Sequence, residues 1–273
     1  MPHRLSLAHL TALALDPPAL IDAAAAAGFE GVGLRLIRVT DDTPGYPLMD
    51  QPRALRETQA AVRQTGLKVF DVEFVKLTPE TRIESLLGFL DVGAELGAGH
   101  VVTAPYDPDL GRLADTLAAL GEAAGERGLR IVLEFFPWTA VPDLATCWQV
   151  VRMAGPEIGI LADSLHFDRS GSAHTLLKSL PSDRLPFAHL CDAPVLPSYS
   201  TEELISTARG NRLAPGQGDI DLARFLASLP ENVPLALEVP TSAGVPDPDP
   251  VRYLQRLMDA TRELLTDWED RRA

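Results

Sequence analysis

Residues 97–136 read GAGHVVTAPYDPDLGRLADTLAALGEAAGERGLRIVLEFF, and this stretch decides the fold. It opens with a short apolar run, His100–Ala104, of strand length. The segment Leu110–Arg127 then carries apolar residues at helical spacing and stops at Gly128, where a left-handed residue ends a helix most easily. A second apolar run, Leu129–Phe135, follows at once. Strand, amphipathic helix, strand is one β/α unit, and strands joined through a helix run parallel.

The same unit repeats in both directions. The expected strands are Leu5–Ala8, Gly31–Leu36, Leu67–Phe74, His100–Ala104, Leu129–Phe135, Ile158–Ala162, Leu185–Leu190 and Pro234–Val239. Between them the spacing predicts helices over Pro17–Ala27, Gln51–Thr65, Glu80–Leu96, Leu110–Arg127, Leu144–Met153, Ser172–Leu180, Asp221–Ser228 and Pro250–Asp270. Eight repeats in a chain of 273 residues match the size of an α/β fold of the (β/α)8 TIM-barrel type. No composition shift marks a linker, so residues 1–273 are read as a single domain. A doubly wound open sheet is the alternative, but no GxGxxG turn follows the first strand and no GxxxxGK[ST] loop occurs anywhere.

Composition excludes several functions. With 24 Lys+Arg against 38 Asp+Glu, the net charge of -14 repels phosphate backbones and anionic lipid heads, and no basic patch compensates. Neither nucleic acid nor membrane is therefore an expected partner. The 2 Cys, Cys147 and Cys191, make no disulfide framework, which fits a reducing, cytoplasmic setting. The opening MPHRLSLAHLTALALDPPAL is broken by His9 and Asp16-Pro17-Pro18 and is read as folded chain rather than a leader. No run approaches the roughly 18 to 20 apolar residues of a membrane span.

In such a barrel the active site lies where the strands end. The fifth strand ends Ile131-Val132-Leu133-Glu134 and the sixth Ile160-Leu161-Ala162-Asp163. The seventh contains Phe187-Ala188-His189-Leu190 and the eighth ends Leu235-Ala236-Leu237-Glu238. Placing ionisable groups beside buried strand residues is costly unless they are paired or coordinated. Each acid taken singly could cap the helix after its strand or pair with an arginine, but four equivalent placements ask for one explanation. Three carboxylates and an imidazole suit one divalent ion, Mn²⁺, Mg²⁺ or Co²⁺ before Zn²⁺, which is also admitted. Cys191 is read as core.

These residues, in the strings LEFFPW, LADSLHFDRSG, FAHLCDA and LALEVP, resemble the xylose isomerase-like TIM-barrel superfamily of sugar phosphate isomerases and epimerases. That group includes ketose 3-epimerases, hydroxypyruvate isomerase, inosose dehydratase, 3-dehydroshikimate dehydratase and, more distantly, endonuclease IV. The resemblance spans essentially the whole chain. It implies that Glu134, Asp163, His189 and Glu238 bind the metal, and that Glu134 and Glu238 also act as catalytic base and acid. It further implies that His166, in the D-x-x-H string, touches a substrate oxygen, and that Arg212, before the PGQGD turn at 215–219, reaches the substrate. The alternative for Arg212 is a solvated charge or a partner to Asp219. The implied reaction is isomerisation or epimerisation of a small sugar, ketose or keto-acid through a metal-stabilised enediolate. Loss of water from a β-hydroxyl would give a lyase of the inosose or 3-dehydroshikimate dehydratase type from nearly the same residues.

Other strand-end groups that could shape the pocket are Arg35, within an otherwise apolar strand, and Trp138, with His9, Glu73, Lys76, Tyr106 and Phe136 beside them. Arg169 is expected near the start of the sixth helix, where backbone N–H groups favour a substrate anion, or else paired with Asp168. An endonuclease-like phosphodiesterase would need more than the 6 His present and a basic face. A non-catalytic sugar-binding barrel would not need both Glu134 and Glu238. Pro194–Tyr199 is read as a pocket rim or a subunit contact, and the resemblance implies a homo-oligomer.

Overall fold

The apolar runs pair edge to edge in chain order. In the computed structural model, which describes residues 3–40, 43–242 and 249–272, eight parallel strands form a closed barrel. They are β1 (Leu5–Leu7), β2 (Gly31–Arg35), β3 (Lys68–Leu77), β4 (His100–Pro105), β5 (Arg130–Glu134), β6 (Gly159–Asp163), β7 (Ala188–Leu190) and β8 (Leu235–Leu237). The ring closes through β1 and β8, with Leu5 opposite Leu235 and Leu7 opposite Leu237.

Ten helices among the described residues cover the outside: α1 (Pro17–Ala26), α2 (Pro52–Thr65), α3 (Leu87–Glu95), α4 (Leu110–Gly125), α5 (Leu144–Ala154), α6 (Ser164–Arg169), α7 (His174–Ser179), α8 (Thr201–Gly210), α9 (Leu222–Ser228) and α10 (Pro250–Asp270). Much of the acidic excess starts these helices. Asp16, Asp109, Asp143, Asp163, Asp221 and Asp249 each cap a first turn by accepting backbone N–H groups, typically worth about 1 kcal/mol apiece. Gly66 ends α2 in the left-handed region at φ 72°, a conformation that is strained for other residues.

Every expected strand is present, and all eight expected helices, with shifted limits. The helix expected over Glu80–Leu96 begins only at Leu87, after a short 3-10 turn over Ile83–Leu86. Its first residues are diverted by a local turn in which Thr78 N–H donates to Thr81 Oγ1 and Glu80 N–H to Thr78 Oγ1. β7 is shorter than Leu185–Leu190 because Ser182–Arg184 turns as 3-10 and Pro186 offers no N–H. α6 and α8 are additions to the expected pattern.

Two apolar compartments hold the fold. One lies between strands and helices, and is built from residues such as Leu34, Leu77, Leu117, Val151 and Leu254. The other fills the barrel itself with Phe74, Val102, Val132, Leu161, Phe187 and Ala236 among its members. This inner plug forms an apolar floor beneath the strand ends. No helix among the described residues is long and apolar enough to cross a membrane.

Candidate metal centre

Glu134 and Asp163 are the last residues of β5 and β6, His189 lies in β7, and Glu238 follows β8 directly. All four are buried. Each offers a ligand atom, and those atoms lie within 4.8 Å of one another. His189 Nδ1 is 3.4 Å from Glu238 Oε2, 3.8 Å from Asp163 Oδ2 and 4.0 Å from Glu134 Oε1. Asp163 and His189 are direct partners in the register of β6 and β7, so the barrel's pleat brings these side chains together.

Asp163 has two roles at once. Its Oδ1 accepts from Leu165 N–H at 2.7 Å and His166 N–H at 3.2 Å, capping α6. Its Oδ2 points to the cluster and accepts from Arg212 Nη1 at 2.5 Å. Helix capping and ligation are therefore compatible here, one oxygen for each. Arg212 Nη2 lies 2.8 Å from Glu238 Oε2, and Nε donates to Ala208 O at 3.0 Å. This buried arginine bridges two of the four ligand candidates; the expected alternatives, a solvated charge or a pair with Asp219, are not what the structure has.

The electrostatics follow from burial and from these neighbours. Burial, reinforced by Glu238, raises the Glu134 carboxyl well above its usual range. Burial opposes ionisation of Glu238 too, but Arg212 and then His189 outweigh it and hold that carboxyl well below its usual range. For His189, burial disfavours the charge, yet Glu238, Glu134 and Asp163 overcome it and push the imidazole up to about 10. Glu134 Oε1 and both ring nitrogens of His189 are buried without a hydrogen-bond partner among the described residues. Orphaned polar atoms of this kind are costly. Three carboxylates and one imidazole nitrogen converging with unspent lone pairs fit a divalent cation.

Above the cluster opens a cavity of about 410 Å³, walled by Glu134, Glu238, Arg35, Arg212, His166 and Trp138. Phe74, Tyr106 and Phe136 are among its apolar lining. Trp138 stacks on Phe136 with centroids 5.1 Å apart, and both meet the ring of His166 edge-on, at 5.3 and 4.7 Å. Burial pushes His166 down to about 4 despite Asp163, so it is a neutral imidazole at pH 7, with Nε2 3.8 Å from Glu134 Oε1. Arg35 points into the barrel mouth, where its Nε lies 3.2 Å from Glu73 Oε1. Its backbone N–H donates to His9 Nδ1 at 2.9 Å.

Other expectations fare differently. Arg169 ends α6, four residues before the N-cap of α7, the helix expected over Ser172–Leu180, and it takes the expected alternative, pairing with Asp168 at 2.5 Å while donating to Pro194 O at 2.6 Å. It is not among the residues that wall the cavity. Val195 and Leu196 are exposed and lie off the cavity. Cys191 is buried against Ser164, and burial pushes its thiol up to about 12, consistent with a core residue. Lys76 lies over the ring of Tyr106, 5.3 Å from its centroid.

Two residues escaped the reading of strand ends. Asp192 accepts from the N–H groups of Ala193, Gly216 and Ile220 and so fixes the loop after Arg212. Its place in FAHLCDA, three residues after His189, was the available signal. Asp71 is buried inside β3, where a strand's parity alone gives no warning.

The comparisons with known proteins agree with this geometry. The family profile of the xylose isomerase-like TIM barrel matches residues 21–264. A 3-dehydroshikimate dehydratase from Pseudomonas putida is 31% identical over 236 residues, 81% of this chain but 36% of that protein. An inosose isomerase from Bacillus subtilis is 27% identical over 161 residues, 55% of each chain. The chain thus spans between about a third and just over half of these relatives' lengths. Among solved structures, the IolI protein with a bound zinc atom superposes with a TM-score of 0.81 at 20% identity, covering 97% of this chain and 99% of that one. With the profile match running from within α1 into α10, over most of the chain, this protein belongs to the xylose isomerase-like TIM barrel family.

Proposed function

We propose that the chain is a divalent-metal-dependent isomerase or epimerase that moves a proton on a small ketose, keto-polyol or keto-acid. The observation that carries this reading is the pair Glu134 and Glu238, which come from the ends of β5 and β8, line one cavity and belong to one four-residue cluster of ligand atoms. Glu134, Asp163, His189 and Glu238 would hold the ion, with Mn²⁺, Mg²⁺ or Co²⁺ suited to the oxygen-rich set and Zn²⁺ supported by the IolI likeness. When bound, a divalent ion polarises a carbonyl and acidifies the adjacent C–H.

The chain's own groups do the rest. One carboxylate takes the proton from carbon, and the other returns one to the opposite face in epimerisation or to the neighbouring carbon in isomerisation. Neutral His166 hydrogen-bonds a substrate hydroxyl, Arg212 and Arg35 orient substrate oxygens, and Trp138 with Phe136 covers an apolar face and excludes water.

A second reading is a dehydratase. It is favoured by the dehydratase relative and by His166, a neutral ring on the cavity wall 3.8 Å from Glu134, which would hydrogen-bond a departing β-hydroxyl while one of the two carboxyl groups takes the proton from carbon and the other hands one to the leaving oxygen.

Elemental analysis of the purified protein, beside Asp163→Ala and His189→Ala after equal exposure to Mn²⁺ and Mg²⁺, tests the site. About one ion per chain, absent from both variants, is expected. A folded wild type that takes up neither ion refutes the reading. Incubation with ketoses, inososes and 3-dehydroshikimate then separates the reactions, because dehydration creates a conjugated product absorbing in the near ultraviolet and epimerisation does not.

A further inference from the structure

Within electrostatic reach of the ligand cluster lies a carboxyl group that the chemistry above does not use. Asp71 is 1% exposed, and its Oδ2 is buried without a hydrogen-bond partner among the described residues. Two features of the backbone aim it inward. The pairing of β2 with β3 runs from Val32 opposite Val69 to Gly33 opposite Asp71, skipping Phe70. Such a bulge re-aims the side chain that follows it. Across the ladder, position 33 is glycine, and a Cβ there would stand 2.6 Å from Asp71 Oδ1, so the carboxyl occupies space that any other residue would fill.

Its charged neighbours are Glu73, His189, Glu238 and Arg35, and burial with Glu73 pushes it up to about 7 while His189 pulls the other way. All four belong to the mouth of the barrel. His189 turns Nδ1 toward Glu134, Asp163 and Glu238, which leaves Nε2–H on the far side of the ring, buried and without a partner among the described residues. A histidine that ligates a metal through one nitrogen donates its other N–H to a carboxylate, a carbonyl or water, and that contact fixes its tautomer and tilt.

We infer that Asp71 is the positioning residue for His189, accepting from Nε2–H through one bridging water and so keeping Nδ1 free of a proton for the metal. The inference rests on the metal-site reading. No direct hydrogen bond joins the two atoms, each buried without a protein partner among the described residues, and a bridging water between a carboxylate and an N–H would satisfy both. Asp71 touches no substrate in this arrangement; it acts through His189.

The test uses Mn²⁺ alone, titrated into the wild type, Asp71→Asn and Asp71→Leu, with the unfolding midpoint of each protein measured in EDTA. Asp71→Leu should weaken Mn²⁺ binding about 10- to 100-fold, the usual range for losing such an outer partner. Asp71→Asn, which keeps an acceptor oxygen, should fall between the two. Stability should not follow affinity: removing an unpaired buried carboxyl leaves the EDTA midpoint unchanged or higher, whereas a merely structural Asp71 would lower it. Should Asp71→Leu fail to fold, the Mn²⁺ affinity of Asp71→Asn still decides, a weakening against the wild type being expected and an equal affinity overturning the inference. Equal Mn²⁺ affinity in all three proteins overturns the inference while leaving the metal site standing. A wild type that binds no Mn²⁺ overturns the metal site itself, and this inference with it.

Discussion

Replacing Arg212 by methionine removes the one buried cation that bridges the ligand cluster. In the native structure its guanidinium lies 2.5 Å from Asp163 Oδ2 and 2.8 Å from Glu238 Oε2, and the residue is 4% exposed. Methionine keeps most of the apolar stem, so the loss is chiefly electrostatic. Breaking a buried pair by removing one partner costs about 3–5 kcal/mol, because the charge left behind stays desolvated. At about 2–4 °C per kcal/mol for a chain of this size, the EDTA-treated variant should melt roughly 6–20 °C below the wild type. A divalent ion supplies charge to the same carboxylates. At about 1,000 times its Kd such an ion stabilises the wild type by about 4 kcal/mol, and it should stabilise Arg212→Met by more, narrowing the gap. Urea unfolding at pH 7.5 with EDTA or with Mn²⁺, for both proteins, measures all four stabilities. The reasoning fails if the EDTA forms agree within about 0.5 kcal/mol, since surface substitutions vary by that much, or if the deficit is as large in Mn²⁺ as in EDTA.

Three further outcomes are expected. Glu238→Gln should retain much of the metal yet lose turnover by orders of magnitude; near-normal turnover would remove Glu238 from the chemistry. Asp192→Ala strips the acceptor from three backbone N–H groups, and at about 1–3 kcal/mol per orphaned buried group it should cost about 3–9 kcal/mol in all, with fast hydrogen exchange at Gly216 and Ile220; protection equal to wild type would contradict it. His9 is buried and pushed down from 6.5 to about 4, so the unfolded chain binds its proton first as pH falls. The stability it contributes is complete above about pH 6.5 and shrinks by up to about 3 kcal/mol as pH falls through 4. His9→Gln should flatten that part of the stability–pH curve, and an unchanged slope would show that His9 is not its source.

The barrel was legible because its signal is redundant: each strand run is followed by a helical spacing and often a glycine, so an error at one boundary does not alter the order. The four ligand candidates were legible for a related reason. Parallel strands in a barrel deliver their last residues to one rim, and a charge after three apolar residues stands out. What was not legible depends on contacts between distant segments. Arg212 shows no sign in its own neighbourhood that it bridges Asp163, 49 residues back, and Glu238. Asp71 was hidden by the bulge at Phe70, which breaks the alternation from which an inward side chain would be read. α8 was missed because only Ala208 on it is buried, leaving no apolar stripe, although its Ser200–Glu203 capping box was there to be read.

The cap that Asp163 places on α6 limits how the cluster can embrace an ion. With Oδ1 tied to two backbone N–H groups, this carboxylate arrives with its rotamer already set and with a single oxygen to give. Two-oxygen chelation by Asp163 would unravel the first turn of α6. Large ions that prefer seven or eight oxygens lose a donor there, while small ions content with four to six lose nothing. If the cluster holds an ion as proposed, discrimination against Ca²⁺ would be written into the start of a six-residue helix, at a residue whose removal would disturb the backbone and the ion together.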